Sequence, residues 1–271
     1  MSAARADVTF DVHESDRPGA ETVLLSAGLG GAAGYWAPQL AALRARYRVV
    51  AYDQAGTGRK RSTELPAGHS IAAMADEVLE ILDETETASC HFVGHALGGL
   101  VGVDLAVRAP GRLRSLTVVN GWARADAHTR RCFEVRLALL KHVGPEAYVR
   151  AQPIFLYPAA WLAEHAARME QEDAHALAGF QGANNLLRRV EALLRFDATP
   201  QLGALRLPVL LAAARDDVLV PFIQSTRLAV AIAGATLHVA ASGGHGMNVT
   251  EPEAFNALLL DFLDRHAARA G

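Results

Sequence analysis

The sequence predicts an α/β fold, a mostly parallel sheet covered by helices on both faces, with a helical cap inserted into it. Short, continuously apolar segments alternate with helical patterns, the arrangement that strands buried on both faces require. That alternation stops near residue 125 and resumes near residue 205, with only helical patterns between. At 271 residues, 51% of them hydrophobic, the chain is long enough for one large core with a smaller domain inserted.

Taken in order, Val8, Phe10 and Val12 alternate with polar residues as an edge strand does, and the segment from Asp16 to Gly19 turns the chain. Thr22 to Ser26 reads as a buried strand, followed by the Gly28 Leu29 Gly30 Gly31 turn and a helix from Tyr35 to Tyr47. Arg48 to Asp53 is the next strand, leading into the loop Gln54 to Gly58. Helix is expected over Ile71 to Leu82, strand over His91 to Val93, helix over Leu97 to Arg108 and strand over Leu113 to Asn120. The expected cap, residues 125–204, is punctuated by Gly144 Pro145, Pro153, Pro158 and Gly182; the core comprises 1–124 and 205–271. Pro208 to Ala214 and Thr236 to Ala240 are the last strands, and helices are expected over Phe222 to Ile232 and Glu251 to His266. Thr250 and Glu253 form a capping-box pattern, with Pro252 in the first turn.

Composition narrows the function classes. A net charge of −3 without a long basic or acidic run argues against nucleic acid as a partner. Cys90 and Cys132 follow no metal or redox spacing, so reduced thiols and a cytoplasmic location are expected. Met1 to Val12 lacks the apolar core of a signal peptide, and no stretch has the length of a membrane span. The sequence offers neither a metal-ligand cluster nor a phosphate loop ending in Lys-Ser or Lys-Thr, so no metal or other cofactor is expected. The expected partner is a small-molecule substrate, and the chain is expected to be a monomer or a homodimer.

The chemistry centres on His91 Phe92 Val93 Gly94 His95 Ala96 Leu97 Gly98 Gly99 Leu100, which has the form of a Gly-x-Ser-x-Gly nucleophile elbow between a strand and a helix. Gly94 and Gly98 hold the flanking places, where a side chain would clash, and Ala96 takes the place of the nucleophile. The motif keeps its geometry and lacks its reactive atom. Downstream, Asp217 closes one apolar strand and His245 follows the next, so elbow, acid and histidine occur in the order of α/β-hydrolases, each at the carboxyl end of a strand. Asp216 is the rival acid. His95, beside the elbow, is expected to pack rather than act as a base.

The turn at Gly28 to Ala33 admits two readings. It matches a G-x-G-x-x-A dinucleotide fingerprint with Asp53 as the ribose acid; alternatively the backbone N–H of Leu29 pairs with that of Leu97 as an oxyanion hole. In the cap, Arg130 and Arg131 are candidates for holding an anion. Gln152, Tyr157, Trp161, Asn184 and Asn185 are candidates for lining a pocket.

From about Leu24 to His266 the chain resembles the pyrimidine-utilisation protein D (RutD) family of α/β-hydrolases. The resemblance is carried by Val119 Asn120 Gly121 Trp122, the run Ala127 to Phe133, the run Ala151 to Pro158, the run Phe180 to Arg189, and Gly244 His245 Gly246 Met247 Asn248 Val249 Thr250 Glu251 Pro252. In that family the elbow already carries alanine, so the resemblance implies that Ala96 is a native feature. Ala55 departs from the common Gln-Arg-Gly, a change expected to loosen the loop after Asp53. The resemblance implies a role in bacterial uracil breakdown, with carbamate or aminoacrylate as the labile substrate. Three readings stay open at this level: a hydrolase in which His245 and Asp217 activate water, a catalytically silent metabolite-binding homologue, and a serine hydrolase with its serine replaced to trap a ligand.

Overall fold

The computed structural model describes residues 9–267. Its strands are β1 (Thr9–His13), β2 (Thr22–Ser26), β3 (Arg48–Asp53), β4 (Cys90–His95), β5 (Leu113–Val119), β6 (Val209–Ala214) and β7 (Thr236–Ala240). They form one sheet in the order β1-β3-β2-β4-β5-β6-β7. The edge strand β1 runs antiparallel to β3 and every other pairing is parallel. Val8, expected to open β1, lies outside the described residues. All seven residues of β5 but one, and all of β2, β4 and β6, are buried, which is why these strands read as apolar runs rather than alternations.

Helices α1 (Ala37–Arg44), α2 (Ile71–Glu84) and α3 (Leu97–Arg108) alternate with the first strands, and α9 (Ile223–Ala231), α10 (Met247–Thr250) and α11 (Pro252–His266) follow the last ones. Two apolar clusters result, one on each face of the sheet: Leu24, Phe92 and Val118 pack with α2 and α3, while Val23, Val93 and Leu210 pack with α1 and α11. Between β5 and β6 lie only helices: α4 (Ala127–His142), α5 (Pro145–Leu156), α6 (Ala159–Glu164), α7 (Ala166–Ala178) and α8 (Ala183–Arg195). Among the described residues an isolated bridge, Arg124 to Asp197, closes the base of this helical insertion.

Two local expectations are corrected. The helix expected from Tyr35 to Tyr47 is a 3-10 turn, Ala33–Trp36, followed by α1, because Pro38 fixes φ and lacks an N–H, which suits the first turn of an α-helix. The Thr250 and Glu253 capping box does not form. Thr250 ends α10, its hydroxyl donates to the Gly243 carbonyl at 2.8 Å, and α11 begins at Pro252 without a side-chain cap.

The tightest packing lies where β4 turns into α3. A Cβ on Gly98 would sit 2.2 Å from the Ser26 carbonyl oxygen, and one on Gly94 would sit 2.3 Å from that of Gly98. Backbone atoms are the obstacles, so no rotamer change relieves them. Gly98→Ala should lower unfolding free energy by at least about 3 kcal/mol, whereas Gly111→Ala, with nothing within 4 Å, should stay within about 0.5 kcal/mol of wild type. Urea midpoints of the two variants against wild type check this.

Candidate active site

Because β2, β4, β6 and β7 are parallel, the loops at their carboxyl ends gather along one edge of the sheet. After β4 comes Ala96 with φ +46° and ψ −111°, a conformation that non-glycine residues rarely adopt. A residue so placed costs of order 1–3 kcal/mol and persists only where its surroundings hold it. Here the Ala96 N–H donates to the Val119 carbonyl at 2.8 Å, and the clearance left by Gly94 and Gly98 lets the chain turn. The Ala96 methyl is 5% exposed and sits where a nucleophilic hydroxyl would project.

His245 and Asp217 meet at this edge. The Nδ1 of His245 is 2.8 Å from Asp217 Oδ2, and both residues are buried. The other carboxylate oxygen accepts the N–H groups of Leu219 and Val220, each at 2.8 Å, which fixes the carboxylate plane. His245 Nε2 makes no hydrogen bond to a described protein group, so the ring presents a free nitrogen beyond its paired one. Asp216 holds the histidine loop instead: its oxygens accept the N–H of Gly244 at 2.9 Å and of Gly243 at 3.3 Å.

The loop is pinned from two more sides. Asn120, at φ +49°, donates to the His245 carbonyl at 2.7 Å, and its Oδ1 accepts the Ala214 N–H at 3.3 Å. His95 Nε2 donates to the same carbonyl at 2.7 Å. Its ring lies between those of Tyr35 and His245, with centroids 4.8 and 4.7 Å away, and its Nδ1 is enclosed without a partner. Burial, helped by the charge His245 can carry, pushes the His95 pKa down to about 3, so the ring is neutral near pH 7.

Leu29 follows β2, and its N–H and that of Leu97 donate to no protein acceptor among the described residues. The Leu97 N–H opens α3, where the helix dipole adds partial positive charge. The Leu29 carbonyl, by contrast, is taken by Gln181 and by the buried Arg189 from the insertion, all at 3.3 Å. The dinucleotide reading of this turn fails on Asp53. Its oxygens accept the N–H of Ala33 at 2.8 Å and both the N–H and Nε of Arg59, and a Cβ on Gly58 would strike its carboxylate, leaving no room for a ribose.

Several expected contacts go elsewhere. Arg130 and Arg131 are exposed, and Arg130 donates to the Leu194 carbonyl at 2.9 Å, latching α4 to α8. Asn184 is exposed, and Asn185 is a clamp rather than a pocket residue. The Asn185 amide accepts from Leu65 N–H and donates to the carbonyls of Gly56, Arg61 and Thr63, so its hydrogen-bonding capacity is spent on backbone. That clamp, together with Ala55 N–H donating to Glu77 at 3.1 Å, holds the loop after β3 through contacts that do not involve the residue 55 side chain. Tyr157 lies against Gly246, and Trp161 stacks on His165 with centroids 4.0 Å apart. Gln152 orients a neighbouring side chain, Arg136.

The sequence reading gave no role to Asn120, Arg136 or Arg189, and weighed Asp216 only as the rival acid. The Asn120 Gly121 pair closing an apolar strand was the available signal for the first. A surface cleft of about 360 Å³ bounded by Ser70, Asp104, Arg108 and Arg195 shares no residue with this site. Cys90 and Cys132 are free and buried, with burial pushing the Cys90 thiol up to about 12. Among the described residues there is no cluster of three or more metal-ligating side chains, and no helix is long and apolar enough to cross a membrane.

The elbow, the paired acid and histidine and the parallel sheet define an α/β hydrolase, and the profile of the alpha/beta hydrolase family matches residues 23–258. Within that class, a protein from Variovorax paradoxus named "Putative carbamate hydrolase RutD" is 56% identical over 249 residues, 92% of this chain and 93% of that one. One of the same name from Agrobacterium fabrum is 48% identical over 254 residues, 94% of this chain and 97% of that one. The chain belongs to the RutD family of α/β hydrolases. Among solved structures, a hydrolase from Pseudomonas aeruginosa has a TM-score of 0.84 at 28% identity, covering 94% of each chain. The enol-lactonase of Burkholderia xenovorans has a TM-score of 0.86 at 25% identity, covering 95% of this chain and 96% of that one.

The neutral His95 predicts acid sensitivity with a definite sign. Between pH about 6.5 and about 3 the unfolded chain binds a proton at this position and the folded chain does not, so stability rises with pH and is lost on acidification. His95→Gln should reduce the slope of unfolding free energy against pH by about one proton, roughly 1.4 kcal/mol per pH unit. Urea titrations at pH 4.5, 5.5 and 6.5 read that difference.

Proposed function

We propose that this chain hydrolyses a small labile carbon–nitrogen compound, a carbamate or an aminoacrylate, in pyrimidine breakdown, with His245 and Asp217 activating water and no covalent intermediate. The observation that carries the reading is the His245–Asp217 pair at 2.8 Å beside an elbow whose central residue has no nucleophilic atom. A carboxylate on Nδ1 selects the tautomer that leaves Nε2 as a proton acceptor. Water in the space a serine hydroxyl would fill gives its proton to Nε2 as its oxygen attacks the electrophilic carbon. Charge developing on the substrate oxygen of a carbamate meets the N–H groups of Leu29 and Leu97. The imidazolium then returns the proton to the departing amine. For the enamine of an aminoacrylate, a proton from solvent adds to the neighbouring carbon, water adds to the resulting iminium carbon as Nε2 takes its proton, and the imidazolium returns that proton to the nitrogen, so that ammonia leaves, the carbonyl forms and the hydroxyl proton passes back to solvent.

Magnitudes favour a labile substrate. A triad lacking a member keeps roughly 10³- to 10⁴-fold catalysis over water through its oxyanion hole and binding. That falls far short for an ordinary amide and suffices for a compound that decomposes unaided. The names of the relatives, carbamate hydrolases, support the same class.

His245→Ala should bring the initial rate to that of buffer, a loss of roughly 10²- to 10⁴-fold in acceleration. Asp217→Asn should lower it strongly by favouring the wrong tautomer. Both are read as initial ammonia release from carbamate and from freshly generated aminoacrylate. If both variants match the wild type, the site binds without turning over. With p-nitrophenyl acetate the wild type should give no burst and no acyl adduct by mass spectrometry, whereas Ala96→Ser should acquire a measurable burst, since the altered side chain adds one oxygen at an otherwise unchanged elbow.

A further inference from the structure

The turn after β2 is gripped by a buried cation. Arg189, on α8, is fully buried, and among the described residues it forms no ion pair. The carboxylate whose field reaches it, Glu77, is taken by Lys60 at 3.3 Å and by the Ala55 N–H at 3.1 Å. Burial lowers the Arg189 pKa to about 10, which leaves the guanidinium charged near pH 7. Its donors go to neutral oxygens. Nε and Nη2 donate to the Leu29 carbonyl, both at 3.3 Å, and Nη2 also reaches the Gly28 carbonyl at 3.4 Å and Gln54 Oε1. Nη1 is enclosed without a partner. A buried charge is ordinarily matched by an opposite one, and here only carbonyl dipoles meet it.

The contacts tie this cation to the site. A trans peptide directs its C=O and N–H to opposite sides, and the described residues include no cis peptide. The Gly28 carbonyl belongs to the same peptide as the Leu29 N–H. A guanidinium on that oxygen therefore leaves the N–H pointing away from itself, where no described protein group accepts it. Gly28 itself lies against the site: a Cβ there would sit 2.8 Å from His95 Nδ1, and the His95 ring centroid is 4.7 Å from that of His245. Gln54, which accepts from Arg189, donates in turn to the Ala27 carbonyl at 2.7 Å. Three successive carbonyls, those of Ala27, Gly28 and Leu29, are thus held by Arg189 or by its partner.

We infer that Arg189 is a positioning residue for the hydrolysis proposed above: it clamps the Gly28 and Leu29 carbonyls so that the Leu29 N–H is held toward the reacting group and strengthened as a donor to negative charge. Hydrogen bonds accepted by a carbonyl polarise the whole peptide group and strengthen the N–H at its other end. Negative charge gathering on the substrate oxygen then meets, across one peptide, a cation that has no opposite charge of its own in the resting protein. The inference rests on the Leu29 N–H acting in that reaction.

Acetate, whose carboxylate stands in for the oxyanion, tests this in the whole protein, with acetamide as the uncharged control. In amide NMR spectra acetate should shift the Leu29 and Leu97 signals of the wild type and bind roughly 10-fold more tightly than acetamide. Arg189→Met should weaken acetate binding roughly 10- to 100-fold. Without ligand, the same variant should move the Leu29 amide nitrogen upfield and leave that of Leu97 in place. Arg189→Lys should restore part of the affinity. A merely structural role would disturb Leu29 and Leu97 together and weaken acetate and acetamide alike, and that result overturns the inference. Initial ammonia release from carbamate should fall roughly 10- to 100-fold in Arg189→Met. The acetate readout needs no turnover: a wild type that fails to hydrolyse carbamate refutes the hydrolytic reading, while the acetate shifts still decide the Arg189 clamp. Acetate that leaves the wild-type Leu29 signal unmoved, or that binds Arg189→Met as it binds the wild type, also overturns the inference. Should Arg189→Met fail to fold, Arg189→Lys, which keeps one charge but cannot span both carbonyls, must still weaken acetate binding and shift the Leu29 signal; affinity equal to wild type overturns it equally.

Discussion

The approach of backbone to backbone at the turn from β4 to α3 is the constraint on which the site depends. Gly98 lies so close to the Ser26 carbonyl that any side chain would collide with it. That contact seats the first turn of α3 against the end of β2 and brings the N–H of Leu97 and the Leu29 turn to the same edge. It also forces Ala96 to positive φ, turning its Cβ outward. The strain is present although the nucleophilic atom is absent, held by the surrounding backbone contacts.

A second constraint fixes the histidine. Side chains at the ends of three different strands, the last residue of β4 and residues just after β5 and β6, converge on the loop that carries it: His95 and Asn120 on the His245 carbonyl, and Asp216 on the N–H groups of Gly243 and Gly244. Asp217 then needs only to orient the ring. Neighbouring carboxylates thus divide the labour, Asp216 fixing backbone and Asp217 fixing the tautomer. His95 stays neutral near pH 7, so it adds no second positive charge beside the His245 ring.

The insertion between β5 and β6 is attached to the sheet's carboxyl edge by polar contacts to backbone. Asn185 clamps the loop after β3, Arg189 and Gln181 take the Leu29 carbonyl, and Leu156 takes the Gly246 N–H. Each of these contacts reaches a loop that also shapes the site. A shift of the insertion would therefore move the Leu29 turn and the His245 loop together, coupling roof and floor mechanically.

The amino-acid pattern by itself determined the layered α/β architecture, because strands buried on both faces must be apolar throughout and helices between them must follow the 3.6-residue period. It also placed the elbow, since only glycine tolerates the approaches at Gly94 and Gly98, and put Asp217 and His245 at strand ends in hydrolase order. What it left undecided were contacts between residues distant in sequence. The linear reading prefers Asp217 to its neighbour Asp216, but only the path of the chain after β6 points one at backbone and the other at the ring. Asn185 reads as a pocket lining until the loop after β3 folds against it. Arg130 and Arg136 are alike in sequence, but six residues on a helix rotate one to solvent and the other into the aromatic roof. Local periodicity decides the elements; burial and partner choice are decided only when those elements pack.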